Sequence, residues 1–505
     1  MLLILPNLIP IKGFLKSLLP LLFVFFLNQT TKAAYFEYTP GLIESQKYMA
    51  KLQLKQANAL ISIELQKHPD NVAAHYLNHY STFFHIMVQQ DKNLLGLFEK
   101  ANAATLIKIQ QLPESSSYKL FLKGSVHLQS AFVKGAFNEY LSAAWDFRTA
   151  YQEINQNEKL HPEFLGHKKE LGALMALIGT FPKQYNWIVN VVGLEGDFDK
   201  GLKILSDYIK GYAHEPLIEQ QQANVIYTLI QLNFGVDKHK AWEFIKDRSA
   251  DYQHNLMTCY LRSYVAGKCG ENDIALQTLK ARPQDESYEQ IQYLNFMMGN
   301  YLLQQLDYSA AIWYKKYISF SVTKGSYKDA YQKLSWIALL QNDTTKFHTY
   351  TALMEKYTKD AGSENKLMKN DLSVGVFPST ELLKARLLFD GGYYPKSHAI
   401  LVKIKPENLH SSFQKLELEY RYARIYQEEK KYSEAIDHYK KSLQVGLKIN
   451  SYLVPNSCLQ LGQIYEQLNY LGLARTYYEK VLDYSNFDYE SSIHQKAKSN
   501  LLRIK

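Results

Sequence analysis

Apolar and polar residues alternate along this chain with the 3.6-residue period of amphipathic helices, and short polar turns separate one periodic stretch from the next. The clearest unit is "YARIYQEEKKYSEAIDHYKKSL", in which Ala423, Tyr426, Tyr432, Ala435 and Tyr439 form one apolar set split by a turn. Small residues let two antiparallel helices approach closely, and rings three or four positions away fill the space that remains. The following unit, "CLQLGQIYEQLNYLGLARTYYEKVL", repeats the set with Leu461, Gly462, Tyr465, Ala474 and Tyr478, and it puts Cys458 on the core side of its helix.

Weaker copies precede these two. "LLKARLLFDGGYYPKSHAILVKI" has Ala385 as its small residue, Gly392 and Tyr394 at the turn, and Ser397 in place of alanine. "MMGNYLLQQLDYSAAIWYKKYI" offers Gly299, Tyr308 and Ala311, with Tyr314 one residue out of step. Near the start, "LKQANALISIELQKHPDN" places Ala57 and Pro69 as the second helix of a hairpin ending at proline does. The pattern predicts an all-α, right-handed superhelical array of antiparallel helix pairs with roughly twenty helices. It is irregular over residues 34–284 and clearer over 285–505.

Composition agrees. The 505 residues are 46% hydrophobic, enough for a continuous core, and the 39 tyrosines are accounted for as packing rings of the repeats. Lys12 and Lys16 precede the apolar run Leu18 to Leu27, and Thr31-Lys32-Ala33 follows it, which reads as a secretory signal over residues 1–33 cleaved after Ala33 or Ala34. An uncleaved anchor is the alternative; the run itself is too short to span a bilayer, and no stable transmembrane span is expected after processing. The protein is therefore expected to be exported, to the periplasm or cell envelope if bacterial.

The formal charge of +9 includes Lys12, Lys16 and Lys32, and the remaining excess is mild and interleaved with acids, as on a solvated helix surface. Without a clustered basic stripe, no nucleic-acid partner is expected. Cys259, Cys269 and Cys458 lack metal spacing; if the first two share a helix they stand about 15 Å apart, beyond disulfide reach. All three read as core thiols. His161, His167, His214 and His254 fall at surface or helix-end positions without ligand spacing, and Trp145, Phe147 and Tyr151 read as core at helical spacing. No metal, cofactor or catalytic residue is expected, because neither a glycine-rich phosphate loop nor a nucleophile elbow occurs.

The stretch "GTFPKQYNWIVNVVGLEGDFDKG" interrupts the periodicity at Gly179–Gly201. No strand pattern precedes it, so Gly193, Gly196 and Gly201 read as a packing joint rather than a phosphate cradle, with Pro182 ending one helix and Asp197 at the N-cap region of the next.

The last two units resemble tetratricopeptide repeats, although the spacings Ala385–Ala423 and Ala423–Gly462, 38 and 39 residues, exceed the usual repeat of about 34. The glycine-rich stretch together with "LLKARLLFDGGYY" resembles the tetratricopeptide repeat protein 39 and yeast inclusion-body clearance family, including exported bacterial relatives. That resemblance implies that Phe181, Pro182, Gly193, Gly196 and Asp197 connect N-terminal helices to the repeats, and it brings no catalytic residue. A secretory signal departs from its intracellular eukaryotic members. The polar junction "KDAGSENKLMKNDLSVGVFPS", residues 359–379, is expected to be a loop or a short loose helix.

The expected function is a non-enzymatic scaffold that binds a protein or peptide; the competing class is an enzyme or small-ligand binder with a site assembled from residues distant in sequence. In tetratricopeptide arrays the first helix of each pair lines the concave face. Counting from Ala385, Ala423 and Gly462 puts Arg386, Arg424 and Gln463 in one lane, flanked by Tyr420, Gln427, Asn456 and Glu466. Two guanidinium groups there can hold a carboxylate by paired hydrogen bonds, or can pair with acids on neighbouring helices. The family's carboxylate clamp uses Lys and Asn in these lanes; Tyr420 and Arg424 depart from it, so binding of chaperone tails is not implied.

Overall fold

The computed structural model describes residues 34–180, 196–235, 237–320, 327–357, 372 and 375–504. The signal segment and its cleavage site up to Ala33, the connector positions Phe181, Pro182 and Gly193, and most of the 359–379 junction lie outside the described residues.

The described residues form 23 α-helices and no strand beyond one isolated bridge, Tyr35 with Asn71, and they build a tetratricopeptide-like solenoid. The N-terminal hairpins are α1 (Pro40–Ala50) with α2 (Leu54–Lys67), α3 (Val72–Gln89) with α4 (Leu95–Gln110), α5 (Ser117–Ala136) with α6 (Tyr140–Leu160), and α7 (His167–Ile178) with α8 (Phe198–Gly211). In the middle α9 (Leu217–Phe234) pairs with α10 (His239–Ile245), α11 (Leu256–Lys268) with α12 (Asn272–Lys280), α13 (Tyr293–Gln304) with α14 (Ala310–Phe320), and α15 (Tyr327–Leu340) with α16 (Thr344–Lys356). Three more follow: α17 (Thr380–Asp390) with α18 (Tyr394–Leu401), α19 (Ser412–Glu428) with α20 (Tyr432–Val445), and α21 (Leu453–Gln467) with α22 (Leu471–Val481). Helix α23 (Glu490–Arg503) covers the end.

Eight of these hairpins share a turn whose second residue is left-handed: Leu52, Asn138, Gly270, Leu306, Asn342, Gly392, Lys430 and Asn469; it is three residues long in seven of them and five, 305–309, between α13 and α14. In each, the amide after that residue donates to the carbonyl five positions back, as Tyr470 does to Tyr465 and Glu139 does to Lys134. This is the Schellman closure of a helix C-terminus, which satisfies carbonyls the helix cannot. Glycine or asparagine holds the strained position in five of the eight, as its sterics favour.

The turn sets the packing register. Seven residues before it stands a small buried side chain: Ser45, Ala131, Ser263, Gly299, Ser335, Ala385, Ala423 or Gly462. Serine can serve there because its hydroxyl finds a carbonyl, as Ser263 Oγ does on Ala275 O at 3.0 Å; Ser397 on α18 bonds back to Ala385 O at 2.7 Å. On the second helix Ala435 and Ala474 are fully buried, and the rings of Tyr439 and Tyr478 lie four residues on. Tyr314 fits the same scheme. Its small partner on α14 is Ala310, not Ala311: alanine and ring follow the left-handed residue one position sooner than in the last two hairpins, and the Tyr314 ring lies against Gly299 as Tyr478 lies against Gly462.

The joint between α7 and α8 is made differently. A Cβ on Gly201 would lie 2.3 Å from the Ala176 nitrogen, and one on Gly196 would lie 2.2 Å from the Gly179 nitrogen. Backbone therefore touches backbone, with Gly172 as a further participant, and Asp197 caps α8 by accepting from Lys200 N at 3.0 Å. At the other end, Asn71 caps α3 and bonds both the N–H and the C=O of Glu37, docking residues 34–38 on the first hairpins.

Two expectations change. Trp145 is 49% exposed, because α6 packs through Ala143, Ala150 and Ile154 and position 145 points away from that face; only Phe147 and Tyr151 join the core. His167 does stand at a helix end, yet it is fully buried there. The three cysteines are buried free thiols.

Candidate functional site

The superhelix brings helices distant in sequence face to face. The end of α9, Gly235, Asp237, Lys238 and His239 after it, and Lys268 at the end of α11 oppose α19, α21 and α23 across a cleft of about 810 Å³. Lys238, Lys268, Arg424, Lys430 and Lys496 line it, against only Asp237 and Glu428, so cations exceed acids in the concavity. Gln427, Gln460, Gln463 and Gln467 supply uncharged donors and acceptors along its floor. The walls nearly touch where Lys238 Nζ comes within 4.0 Å of Glu428 Oε1.

The electrostatics follow from the crowding of like charges. Lys496 is reached by solvent, yet the surrounding walls displace much of its water, and Arg424, Lys268 and Lys238 repel its charge; its pKa is lowered. Burial also works against the charge of Arg424, but the Glu428 carboxylate beside it opposes that cost and the guanidinium stays protonated. It lies 5.1 Å over the Phe389 ring and donates at 3.5 Å to Glu428 Oε1. A second cationic group adjoins the first. Lys333 sits 3.6 Å over Trp336, with Arg386 at 4.8 Å, and its pKa falls to about 7 through burial and the charges of Arg386 and Lys268. Lys268 thus acts on both groups, and the cationic strip runs from Arg386 to Lys496.

Of the seven lane residues, Arg424, Gln427 and Gln463 line the cleft. Gln427 Oε1 also accepts from the Tyr439 hydroxyl at 2.5 Å. Arg386 lies outside the cleft, on Trp336 and 3.9 Å from Asp390 on its own helix. Tyr420 and Asn456 are joined to each other, Nδ2 to the phenol oxygen at 2.6 Å. Glu466 accepts both Arg503 nitrogens at 2.8 and 2.9 Å and the Tyr478 hydroxyl at 2.6 Å. Lys238, Lys268, Lys430 and Lys496 escaped sequence reasoning. Each is one lysine in a mixed-charge stretch, and only the pitch of the solenoid gathers them.

Among the described residues no cluster of His, Cys, Asp and Glu fits a metal ion, and no helix is long and apolar enough to cross a membrane.

The tetratricopeptide repeat family matches residues 417–445 and 455–488, the α19/α20 hairpin and the α21/α22 hairpin with the turn after it. These two units are tetratricopeptide repeats, the fold of protein-interaction scaffolds. No curated protein matches the chain. Among solved structures, the P58(IPK) TPR domain is 12% identical over 92% of this chain and 97% of its own, with a TM-score of 0.21. Yeast Tom70 is 13% identical over 91% and 88%, TM-score 0.24. The human IFIT1 dimer with m7Gppp-AAAA is 12% identical over 88% and 89%, TM-score 0.24. Superpositions this loose carry no weight for what the chain binds.

Proposed function

We propose that the protein is a non-enzymatic scaffold whose concave cleft takes an extended acidic segment, or the C-terminal carboxylate, of a partner protein. The observation that carries this reading is the excess of cations in a concavity roomy enough for a peptide, with amide side chains along its floor. Lys496 holds its proton less readily than an ordinary lysine because the cleft walls displace its water and, secondly, because like charges surround it, and an incoming carboxylate offsets both. Arg424 supplies the forked donor that a carboxylate fits, and Gln427 and Gln463 can bond the peptide backbone. Arg386 extends the strip toward Trp336 and serves the far end of a longer ligand. The basic residues, apolar run and small-residue site over 1–33 support export to the cell envelope, and the resemblance to the tetratricopeptide repeat protein 39 family supports a place among its exported relatives.

A fluorescent decapeptide rich in Asp and Glu, titrated by anisotropy, tests the cleft. Arg424→Ala/Lys496→Ala is expected to weaken binding by about tenfold or more, and Arg386→Ala/Arg424→Ala by a similar factor for a longer peptide. Unchanged affinity in both variants, with folding intact by circular dichroism, removes the concave-cleft reading. Tighter binding of a single-stranded RNA than of the peptide redirects it to nucleic acid.

A further inference from the structure

A second cavity, of about 170 Å³, lies in the N-terminal region where α3, α5, α7, α9 and α11 meet, well away in sequence from the cationic strip's C-terminal wall. Its walls are apolar and aromatic, with Phe83, Phe84, Phe132 and Met257 among them, and Glu170 and Gln222 are polar members of the lining. An apolar cavity of about 150 Å³ is large enough to admit benzene. This one differs in carrying a carboxylate.

Glu170 is 3% exposed. Its Oε1 accepts from Lys169 Nζ at 3.0 Å and from Ser125 Oγ at 3.3 Å, while its Oε2 has no hydrogen-bond partner. Lys169 is itself fully buried and spends its remaining donors on Glu219 and on Gln222. Glu219 is buried too, so one ammonium serves two carboxylates. Buried charges are retained when each has a partner; here two carboxylates share one ammonium, so burial favours a proton on Glu170, and an ammonium against Oε2 takes that proton's place, while Gln129 Oε1 of the same lining is a further acceptor without a donor. The missing complement is a cation with hydrogen-bond donors, attached to hydrocarbon of about the size of one ring. Aromatic walls favour that choice, since ring faces attract cations.

We propose that this cavity binds a compact, mainly apolar primary amine, with its ammonium donating to Glu170 Oε2 and its hydrocarbon seated against Phe83, Phe84, Phe132 and Met257. The site is independent of the cationic cleft, whose charge would repel such a ligand, so the protein combines an anion-binding concavity with a small-amine pocket.

Calorimetric titration of the folded protein with 2-phenylethylamine and with the neutral, equally sized 2-phenylethanol tests the assignment. The amine is expected to bind at least about tenfold more tightly than the alcohol. Glu170→Gln is expected to abolish that preference while leaving alcohol binding unchanged, and Met257→Trp, which fills the cavity from a half-buried position, is expected to remove binding of both. Arg424→Ala/Lys496→Ala is expected to leave amine binding unaltered. Equal binding of amine and alcohol by the wild type, absence of amine binding, or full amine binding by folded Met257→Trp overturns the proposal. If Glu170→Gln does not fold, the wild-type preference and Met257→Trp still decide it.

Discussion

The C-terminal hairpins and the α7–α9 region meet the same demand, close approach of antiparallel helices, with different atoms. In the α13/α14, α19/α20 and α21/α22 hairpins the contact pairs a small residue with a ring, as Gly299 with Tyr314 and Gly462 with Tyr478. Each ring is buried while its hydroxyl reaches a polar side chain on the preceding helix, Asn300 for Tyr314, Gln427 for Tyr439 and Glu466 for Tyr478. Between α7 and α8 the contact is backbone against backbone through Gly172, Gly179, Gly196 and Gly201, and nearby the interior holds Lys169, Glu170, Glu219 and His167. Rings can shift to absorb a change, whereas backbone cannot. Buried ionisable groups also make the α7–α9 region sensitive to pH in a way that the phenols of the C-terminal hairpins, with pKa values pushed upward, are not.

The sharpest way to break this contrast is to add a Cβ on each side of it. Gly201→Ala puts a methyl into the Ala176 and Gly172 backbone and is expected to cost about 4 kcal/mol or more, or to prevent folding. Gly462→Ala meets only the edge of the Tyr478 ring and is expected to cost about 1 to 2 kcal/mol. Chemical denaturation of both variants measures the difference; equal losses would show that the ring joint is as rigid as the backbone joint.

Acid should separate the regions next. His79 and His167 are buried and neutral, each with its pKa lowered to about 4, chiefly by desolvation. The unfolded chain takes up those protons near pH 6.5, so their contribution is complete above that pH and is lost as pH falls toward 4, on the order of 2 to 3 kcal/mol per histidine. Glu170 acts in the opposite sense. Its pKa is raised to about 7 by burial, so the folded state binds its proton first and loses stability as pH climbs from about 4.5 to 7. The separable quantity is the difference between wild type and His79→Gln/His167→Gln, whose stability should depend less steeply on pH between 4 and 6.5. Parallel pH curves for the two proteins would contradict the assignment.

The smallest effect tests what the regions share. Lys430 holds a left-handed φ of 58° in the turn where five other hairpins have Asn or Gly. Lys430→Asn is expected to raise stability by about 0.5 to 1 kcal/mol, seen as a small increase in melting temperature, whereas Asn469→Lys in the neighbouring turn should lower it by a similar amount. If neither variant moves the melting temperature, left-handed strain does not limit these turns.

Legibility differed between the regions for a physical reason. Ala423, Ala435, Gly462 and Ala474 were readable because alanine and glycine announce close contact and tyrosine announces the ring that fills it. Ser45, Ser263 and Ser335 occupy the equivalent first-helix position, but serine in a sequence reads as polar until a carbonyl for its hydroxyl is placed beside it. Likewise Leu52, Leu306 and Lys430 give no sign of the left-handed turn that Asn138, Asn342, Asn469, Gly270 and Gly392 suggest. Trp145 was misjudged because helical spacing shows which residues share a face without showing which face is covered.

What the sequence by itself determined is the hairpin: Ala423 and Tyr439, or Gly462 and Tyr478, stand sixteen residues apart, so helix period and one turn suffice to bring them together. The cleft and the amine pocket were decided by tertiary structure alone. Lys238 meets Glu428, and Glu170 shares a lysine with Glu219, because small rotations between successive helix pairs accumulate along the solenoid until distant helices face one another. No local pattern encodes that accumulated rotation. It arises from every interface in the array together, and a charge such as Lys496 acquires its role only when the last helix closes over a wall built from α9 and α11.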